Sequence, residues 1–277
     1  MRLKAIRKIR AVLALSRRVR ALEANVSDLQ TQIDQHISLA SVHTPVPRMP
    51  PKHLQVRVAG IYNSSFYSSG QHQIRDIEAF LQSNGKSFQD FQTILDFGCG
   101  CGRTLIPLSQ LVPTERVCGS DIDGEAIHWL KTHHSTFRDL DVNGTQPPTK
   151  YDDDTFDFIY VISVFTHLPE DMQLAWLAEL RRIMKPGGIG VFTTHGEMHY
   201  SKLQGEAAEE ISARGFHYSL TGLVDGLPEF YQTTYHSHDY VRREWTRYFD
   251  IVAIRALGLG DNHDLVMVAK DHRPLEN

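Results

Sequence analysis

The residues with the clearest chemical potential form a glycine-rich turn at positions 96–103. An apolar strand leads into Asp96, and glycine then occupies every second position, at Gly98, Gly100 and Gly102. Glycine tolerates positive φ and allows a ligand to approach the backbone closely. Dinucleotide-binding turns have the spacing G-x-G-x-x-G and hold a pyrophosphate. The spacing here is Asp-x-Gly-x-Gly-x-Gly, and an acid beside the turn suits a ligand that carries an ammonium and a sulfonium better than a pyrophosphate.

Two further polar residues follow the ends of later strands. Asp121 closes the next predicted strand, 23 residues after Gly98, and a carboxylate at this place can accept hydrogen bonds from ribose hydroxyls. Asp123 is expected to cap the following helix. Asn143 has two interpretations: its amide could read an adenine edge, or it could be a turn residue ahead of Gly144.

The elements that must position these residues alternate between strand and helix. This alternation indicates βαβ units and a parallel sheet covered by helices on both faces. Two strands joined by a short connection close the chain, so the last pair is predicted to be antiparallel. A helix is predicted at residues 74–83 and another near 237–248. The predicted strands are 93–96, 116–121, 156–162, 189–194, 251–256 and 265–269, and the helices between them are 103–111, 124–134 and 170–184.

The N-terminal segment differs in charge from the rest of the chain. Residues 1–20 hold eight basic and no acidic residues, although the whole chain carries a net charge of −4. Apolar residues repeat with heptad spacing from Val12 to Ile33, with β-branched residues at a and Leu at d, which favours a two-stranded coiled coil. We therefore predict a helix over residues 1–40 that forms a homodimer. Its basic amphipathic tip could also contact anionic lipid at the inner membrane surface, or pack on the protein itself.

Composition excludes several other classes of protein. The sequence holds no run of 18 apolar residues, so no membrane span is expected. The three cysteines are too few for a disulfide framework, and no further ligands stand at metal-binding spacing near them, so we predict no metal site and a cytoplasmic protein. The Arg-rich start also fits a mitochondrial presequence. Apart from the basic tip the chain is acidic, and therefore nucleic acid is an unlikely partner.

Prolines at four positions of residues 41–53 predict a linker, which divides the chain into an N-terminal helix and a domain over residues 54–272. An insertion at residues 196–235 separates the predicted strand 189–194 from the helix that follows it. Long insertions at the ligand end of a sheet usually cover a substrate.

Together these features resemble the class I S-adenosylmethionine-dependent methyltransferases over about residues 55–270. The resemblance implies a Rossmann-like, doubly wound, seven-stranded sheet with a terminal antiparallel strand, and S-adenosyl-L-methionine as cofactor. It further implies that the acid and the turn hold the methionine end, that Asp121 holds the ribose, that Ile122 flanks the adenine, and that two residues after the strand at 156–162 face the sulfonium. The turn residues in question are Asp96, Gly98, Cys99 and Gly100, and the two residues at the sulfonium are Ser163 and Val164.

Four runs of the sequence, at residues 57–60, 95–103, 162–168 and 193–197, are similar to a bacterial subgroup linked to glycosyltransferases and surface-glycan synthesis. The subgroup implies O-methylation of a glycan or glycan-like hydroxyl. Three alternatives stay open: methylation of a small lipid or secondary metabolite, a dinucleotide-dependent oxidoreductase, and a non-catalytic scaffold.

An alcohol acceptor benefits from a base that takes its proton, and imidazole suits this role near neutral pH. Four histidines follow strand ends or lie in the segments after them: His167, His195, His236 and His263. His195 is the strongest candidate because it directly follows the predicted strand 189–194. The chain holds 15 histidines, so a structural hydrogen bond is the alternative role for each.

Overall fold

The computed structural model describes residues 47–221 and 226–271. The predicted coiled coil and basic tip at residues 1–40 lie outside these ranges. The predicted linker is described only from residue 47 onward, and its last two residues already belong to the first described helix, α1 (Lys52–Ala59). None of the helices described is long and apolar enough to cross a membrane.

Seven strands form the main sheet, in the order β3-β2-β1-β4-β5-β9-β8. The first five run parallel, β9 runs antiparallel to β5, and β8 pairs antiparallel with β9. The predicted doubly wound sheet with a terminal antiparallel strand is therefore confirmed. The strands are β1 (Ile94–Phe97), β2 (Val117–Asp121), β3 (Asp139–Val142), β4 (Phe156–Val161), β5 (Met184–Thr194), β6 (Phe216–Ser219), β7 (Thr233–His236), β8 (Asp250–Leu259) and β9 (His263–Ala269), and β6 with β7 form a separate hairpin.

The described helices lie between these strands. They are α1, α2 (Phe66–Ser83), α3 (Leu105–Leu108), α4 (Gly124–His133), α5 (Glu170–Ile183), α6 (Glu197–Tyr200), α7 (Glu206–Arg214) and α8 (His238–Tyr240), which continues into a π-turn at Val241–Trp245. Short 3₁₀ turns occur at Phe88–Asp90 and Thr114–Arg116.

Alternating side chains of the central strands pack into two apolar layers, one on each face of the sheet. On β4, Phe158 and Tyr160 belong to one layer and Ile159 and Val161 to the other. Successive side chains of a strand point to opposite faces, so a strand covered on both sides is apolar throughout. Helices α2 and α4 pack on the first layer and α5 on the second.

The helix predicted at residues 103–111 is much shorter in the structure. Pro107 has no N–H to donate to the carbonyl of Arg103 four residues earlier, and α3 spans only Leu105–Leu108. Helix α2 instead packs against this carbonyl through Gly70, where a Cβ atom would lie 1.8 Å from the Arg103 oxygen. The glycine thus fixes α2 directly against the end of the glycine-rich turn.

Candidate functional site

A cavity of about 900 Å³ opens at the carboxyl ends of β1, β2 and β4. Eight of the nine residues predicted to bind the cofactor line it: Gly98, Cys99, Gly100, Asp121, Ile122, Asn143, Ser163 and Val164. The ninth, Asp96, does not. The structure thus brings together residues from four separate segments of the chain.

The glycines of the turn are required by close packing as well as by their backbone conformation. Gly98 and Gly100 have φ of 85° and 53°. A Cβ on Gly98 would lie 2.3 Å from Val164 Cγ2, and one on Gly100 would lie 2.4 Å from Val58 Cγ2. Because both valines line the cavity, any larger residue in the turn would move its walls.

Asp121 joins the turn to the end of β2. Its carboxylate accepts hydrogen bonds from the backbone N–H of Gly100 at 2.7 Å and from that of Asp123 at 2.8 Å. Burial raises the pKa of Asp121 to about 6, because the charged form is removed from water, although the two N–H groups favour that form. Asp123 caps α4 as predicted, accepting from Glu125 and Ala126.

Asp96 lies behind the turn and is 1% exposed. Its carboxyl oxygen accepts from the Thr104 hydroxyl at 2.9 Å and from the Tyr160 hydroxyl at 2.7 Å. Desolvation raises its pKa to about 7. Thr104 itself lines the cavity, so Asp96 is placed to act on the cavity through this hydroxyl.

The Asn143 amide lies at the cavity wall, where it makes two local hydrogen bonds. Its Oδ1 accepts from the Ser120 hydroxyl and its Nδ2 donates to the Gly144 carbonyl, each at 2.9 Å. These bonds are those of a turn residue, and they also fix the amide beside Ile122 in the cavity lining.

Ser163, just after β4, adopts an unusual backbone conformation with φ of 56°. Its N–H donates to Thr193 Oγ1 and its carbonyl accepts from the Tyr231 hydroxyl, both at 2.8 Å, and its hydroxyl lies 3.1 Å from His263 Nε2. Such a conformation persists where surrounding bonds enforce it, and it is concentrated at functional sites.

A second cavity, of about 1040 Å³, adjoins the first. The two share six wall residues: Arg57, Val58, Arg103, Ser163, Leu227 and Tyr231. Beyond this junction the second cavity is lined by two of the four candidate histidines, His167 and His263. The two cavities therefore meet at a junction that includes Ser163.

Three of the candidate histidines cluster beside the second cavity. The His195 ring stacks on that of His263, with centroids 5.0 Å apart, and lies 6.0 Å from that of His167. Burial lowers the pKa of His195 to about 2 and that of His263 to about 4, so both rings are neutral at pH 7. His195 lies behind this wall and lines neither cavity. No group of His, Cys, Asp or Glu side chains within residues 47–221 and 226–271 is arranged to hold a metal ion.

The structure does not bring His236 to this site. Its ring is fully buried, lines neither cavity, and bonds through Nε2 to Gln173 Oε1 at 2.8 Å. On β7, alternate residues Thr234 and His236 point into the protein.

Several wall residues were not predicted from the sequence. Arg57 comes from α1, Arg103 from the end of the turn, and Tyr231 from the insertion at residues 196–235. The insertion also contributes Leu227 and Phe230 to the first cavity. Arg103 directly follows the last turn glycine, so its position in the sequence could have indicated that it lines the cavity. Tyr231 is 68 positions from Ser163, whose carbonyl it contacts, and no local sequence pattern indicates that pair.

The geometry fits a ligand with a sugar diol and a charged methionine end. Asp121 offers a carboxylate at the end of β2, and the glycine turn exposes its backbone to the cavity. Ile122 adds an apolar side chain to the same wall, which also includes Asn143. The fold and this site define a class I S-adenosylmethionine-dependent methyltransferase.

Comparison with known proteins gives the same class of enzyme. A family model described as a methyltransferase domain matches residues 70–250, and the chain belongs to this family. Its cofactor is S-adenosyl-L-methionine.

Among curated relatives, O-methyltransferase 3 of Dictyostelium discoideum is 25% identical over 139 residues, covering 47% of this chain and 31% of that protein. A malonyl-[acyl-carrier protein] O-methyltransferase of Porphyromonas gingivalis is 24% identical over 156 residues, 56% of each chain. The chain thus spans from about a third to just over half of these relatives.

A solved structure of the glycopeptide N-methyltransferase MtfA with sinefungin covers 81% of this chain and 99% of that one, with a TM-score of 0.52 and 16% identity. The PH0226 protein of Pyrococcus horikoshii covers 76% of this chain and 92% of that one, with a TM-score of 0.51 and 16% identity. At such identity these similarities concern the fold alone.

Proposed function

We propose that this methyltransferase acts on a hydroxyl oxygen of a glycan or glycan-like acceptor held in the second cavity. The observation that carries the proposal is the junction at Ser163, where the cofactor cavity meets a second space walled by His167 and His263. Methyl transfer needs donor and acceptor aligned and shielded from water. Two adjoining cavities with a shared wall supply such an alignment.

His167 is the residue placed to take the acceptor proton. Its Nδ1 lies at the carbonyl oxygen of Gln232, and a carbonyl only accepts, so Nδ1 carries the proton and Nε2 keeps a free lone pair. Stacking on Tyr231, with centroids 4.2 Å apart, holds the ring in place. Burial lowers the pKa of His167, which favours the neutral ring that a general base requires.

His263 has a different task. Asn262 Nδ2 lies 3.2 Å from its Nδ1, so the proton is on Nε2, which donates to the Ser163 hydroxyl. His263 therefore positions Ser163. His195, the strongest candidate from the sequence, supports this ring by stacking on it.

When bound, S-adenosylmethionine supplies a methyl group whose carbon–sulfur bond breaks, leaving the electron pair on sulfur, as the acceptor oxygen forms the new carbon–oxygen bond. Nε2 of His167 takes the hydroxyl proton. Tyr231 and Leu227, from the insertion, line both cavities at their junction, and we infer that they shield the reacting atoms from water.

Two relatives, the Dictyostelium and Porphyromonas proteins, are named O-methyltransferases, which supports oxygen as the methylated atom. The wall of the second cavity is largely apolar but includes the polar side chains of Gln73 and Asn262, which offer hydrogen-bond partners to a hydroxyl-rich acceptor.

The test is methyl transfer from labelled S-adenosylmethionine to a glycan panel, with the modified atom assigned by mass spectrometry and NMR. We expect an O-methyl product, and we expect His167→Gln to lower kcat at least about a hundredfold, as loss of a general base does, without changing cofactor affinity. The matched control is His236→Gln, a buried histidine outside both cavities. Methylation of nitrogen, or an unchanged kcat in His167→Gln, would contradict the proposal.

A further inference from the structure

The second cavity carries positive charge and no negative charge on its described walls. Arg57 and Arg103 both line it, and no Asp or Glu among residues 47–221 and 226–271 does. The chain as a whole has a net charge of −4. A cavity of the opposite sign within an acidic protein indicates a ligand with negative charge.

The two arginines differ in what they contact. Arg57 Nη1 pairs with Asp123 at 3.1 Å and with Glu125 at 2.8 Å. Arg103 forms no ion pair with any carboxylate of the described residues. Its Nε is shielded from solvent and has no hydrogen-bond partner.

A guanidinium stays protonated in proteins, and an unpaired charge is costly to bury. Burial lowers the pKa of Arg103, and the attraction of Asp96 offsets this only in part. The Asp96 carboxyl is already engaged by Thr104 and Tyr160. Within the described residues the Arg103 guanidinium therefore has no paired carboxylate, and a bound anion would supply its counterion.

A second unpartnered group lies on the wall of the same cavity. Gln73 Oε1 is buried and accepts no hydrogen bond. Arg103 Nε and Gln73 Oε1 are thus one unused donor and one unused acceptor, and because both atoms are shielded from solvent, a ligand in the cavity reaches them only after the two side chains rotate. A hydroxy acid has the complementary pair, because its carboxylate accepts and its hydroxyl donates.

Building on the proposed function, we propose that the acceptor bears a carboxylate, which Arg103 holds in the second cavity while a hydroxyl of the same unit donates to Gln73. A uronic-acid residue of a glycan has this chemistry. The planar guanidinium matches a carboxylate with two parallel hydrogen bonds.

A single charge, rather than a phosphate dianion, fits the cavity. Arg57 is already paired with two carboxylates. Burial lowers the pKa of His263 to about 4 and also lowers the pKa of His167, so neither imidazole is charged at pH 7. Arg103 alone is left to balance the ligand.

The test compares glucuronate with its neutral analogue glucuronamide on protein saturated with S-adenosylhomocysteine, by NMR titration. We expect glucuronate to bind at least tenfold more tightly, which corresponds to about 1.4 kcal/mol. Arg103→Gln should abolish this preference. Arg103→Lys, which keeps the charge and loses the planar fork, should retain part of it.

Gln73→Glu tests the same charge without changing Arg103. Its carboxylate would neutralise the guanidinium, so the preference for glucuronate should disappear. The matched control is Gln71→Glu on the same helix, at a residue that bonds to Gln110 and does not line the cavity; it should keep the preference.

Equal affinity of the wild-type protein for the two sugars, or no binding of either, would overturn the proposal. So would a preference that survives in Arg103→Gln. If Arg103→Gln instead weakens S-adenosylhomocysteine itself tenfold, the guanidinium serves the methionine carboxylate, and the proposal also fails. These titrations measure no methyl transfer, so their outcome is independent of whether the methylated atom is oxygen.

Discussion

Replacing Asp121 with alanine is expected to weaken cofactor binding by about two orders of magnitude. The carboxylate stands at the end of β2 in the first cavity and is 9% exposed. Two ribose hydroxyls donating to it would form two charge-assisted hydrogen bonds, each worth at least about 1.5 kcal/mol. Their loss amounts to about 3 kcal/mol, or roughly a hundredfold in Kd.

The same substitution should change the stability of the fold much less. Ionised Asp121 is disfavoured in the folded protein: its pKa of about 6 exceeds the ordinary value of 3.8, which corresponds to about 3 kcal/mol above pH 6. This net cost already includes the favourable effect of the N–H groups of Gly100 and Asp123. Alanine removes the cost but leaves these two N–H groups without their acceptor, which costs about 1–3 kcal/mol for each unsatisfied group. The two effects oppose each other.

Isothermal titration with S-adenosylhomocysteine measures the affinity, and thermal unfolding without ligand measures the fold. The matched control is Asp141→Asn on the adjacent strand, whose carboxylate pairs with Lys150 at 3.1 Å and does not line the cavity. A folded Asp121→Ala protein whose Kd stays within about threefold of the wild type would refute the assignment of the ribose site.

Three further predictions follow from the site and the chain around it. Cofactor affinity should fall as pH drops through about 6, where Asp121 takes up a proton; titration at several pH values tests this, and a dependence that persists in Asp121→Ala would belong to Asp96, with its pKa of about 7. Gly98→Ala should destabilise the fold by about 1–3 kcal/mol more than Gly187→Ala in denaturant unfolding, because both have positive φ but only the Gly98 Cβ meets a side chain, Val164 at 2.3 Å; equal losses would show that the clash is absent. Deleting residues 1–40 should convert a dimer into a monomer with unchanged cofactor affinity; a truncated chain that remains dimeric in sedimentation analysis would contradict the heptad prediction.

The convergence of the predicted cofactor residues on one cavity could be read from the sequence because its signals are local. Glycine spacing in the turn and a carboxylate closing the next strand are readable within short windows of sequence, and the parallel sheet brings the carboxyl ends of its strands to one edge. Asp96 shows the limit of this reasoning. The spacing indicated its importance, but only the packing of Tyr160 and Thr104 against its carboxyl places it behind the cavity wall.

The second cavity, which we propose holds the acceptor, was much less predictable, since its walls depend on contacts between distant segments. The hairpin of β6 and β7 has four-residue strands of mixed polarity, too short for a clear periodic pattern. With β7 unassigned, the inward direction of His236 could not be inferred. The same holds for the junction, where Ser163 meets Tyr231 and His263 across 68 and 100 positions of sequence.

Two adjoining cavities meet at Ser163, and we propose that one holds the methyl donor and the other the acceptor. A crystal structure of the complex with S-adenosylhomocysteine would test this proposal. We expect ribose hydroxyls on Asp121, the adenine beside Ile122, and the sulfur next to Ser163 and Val164, facing the second cavity. A nucleoside bound in the second cavity, or a sulfur directed away from Ser163, would contradict it.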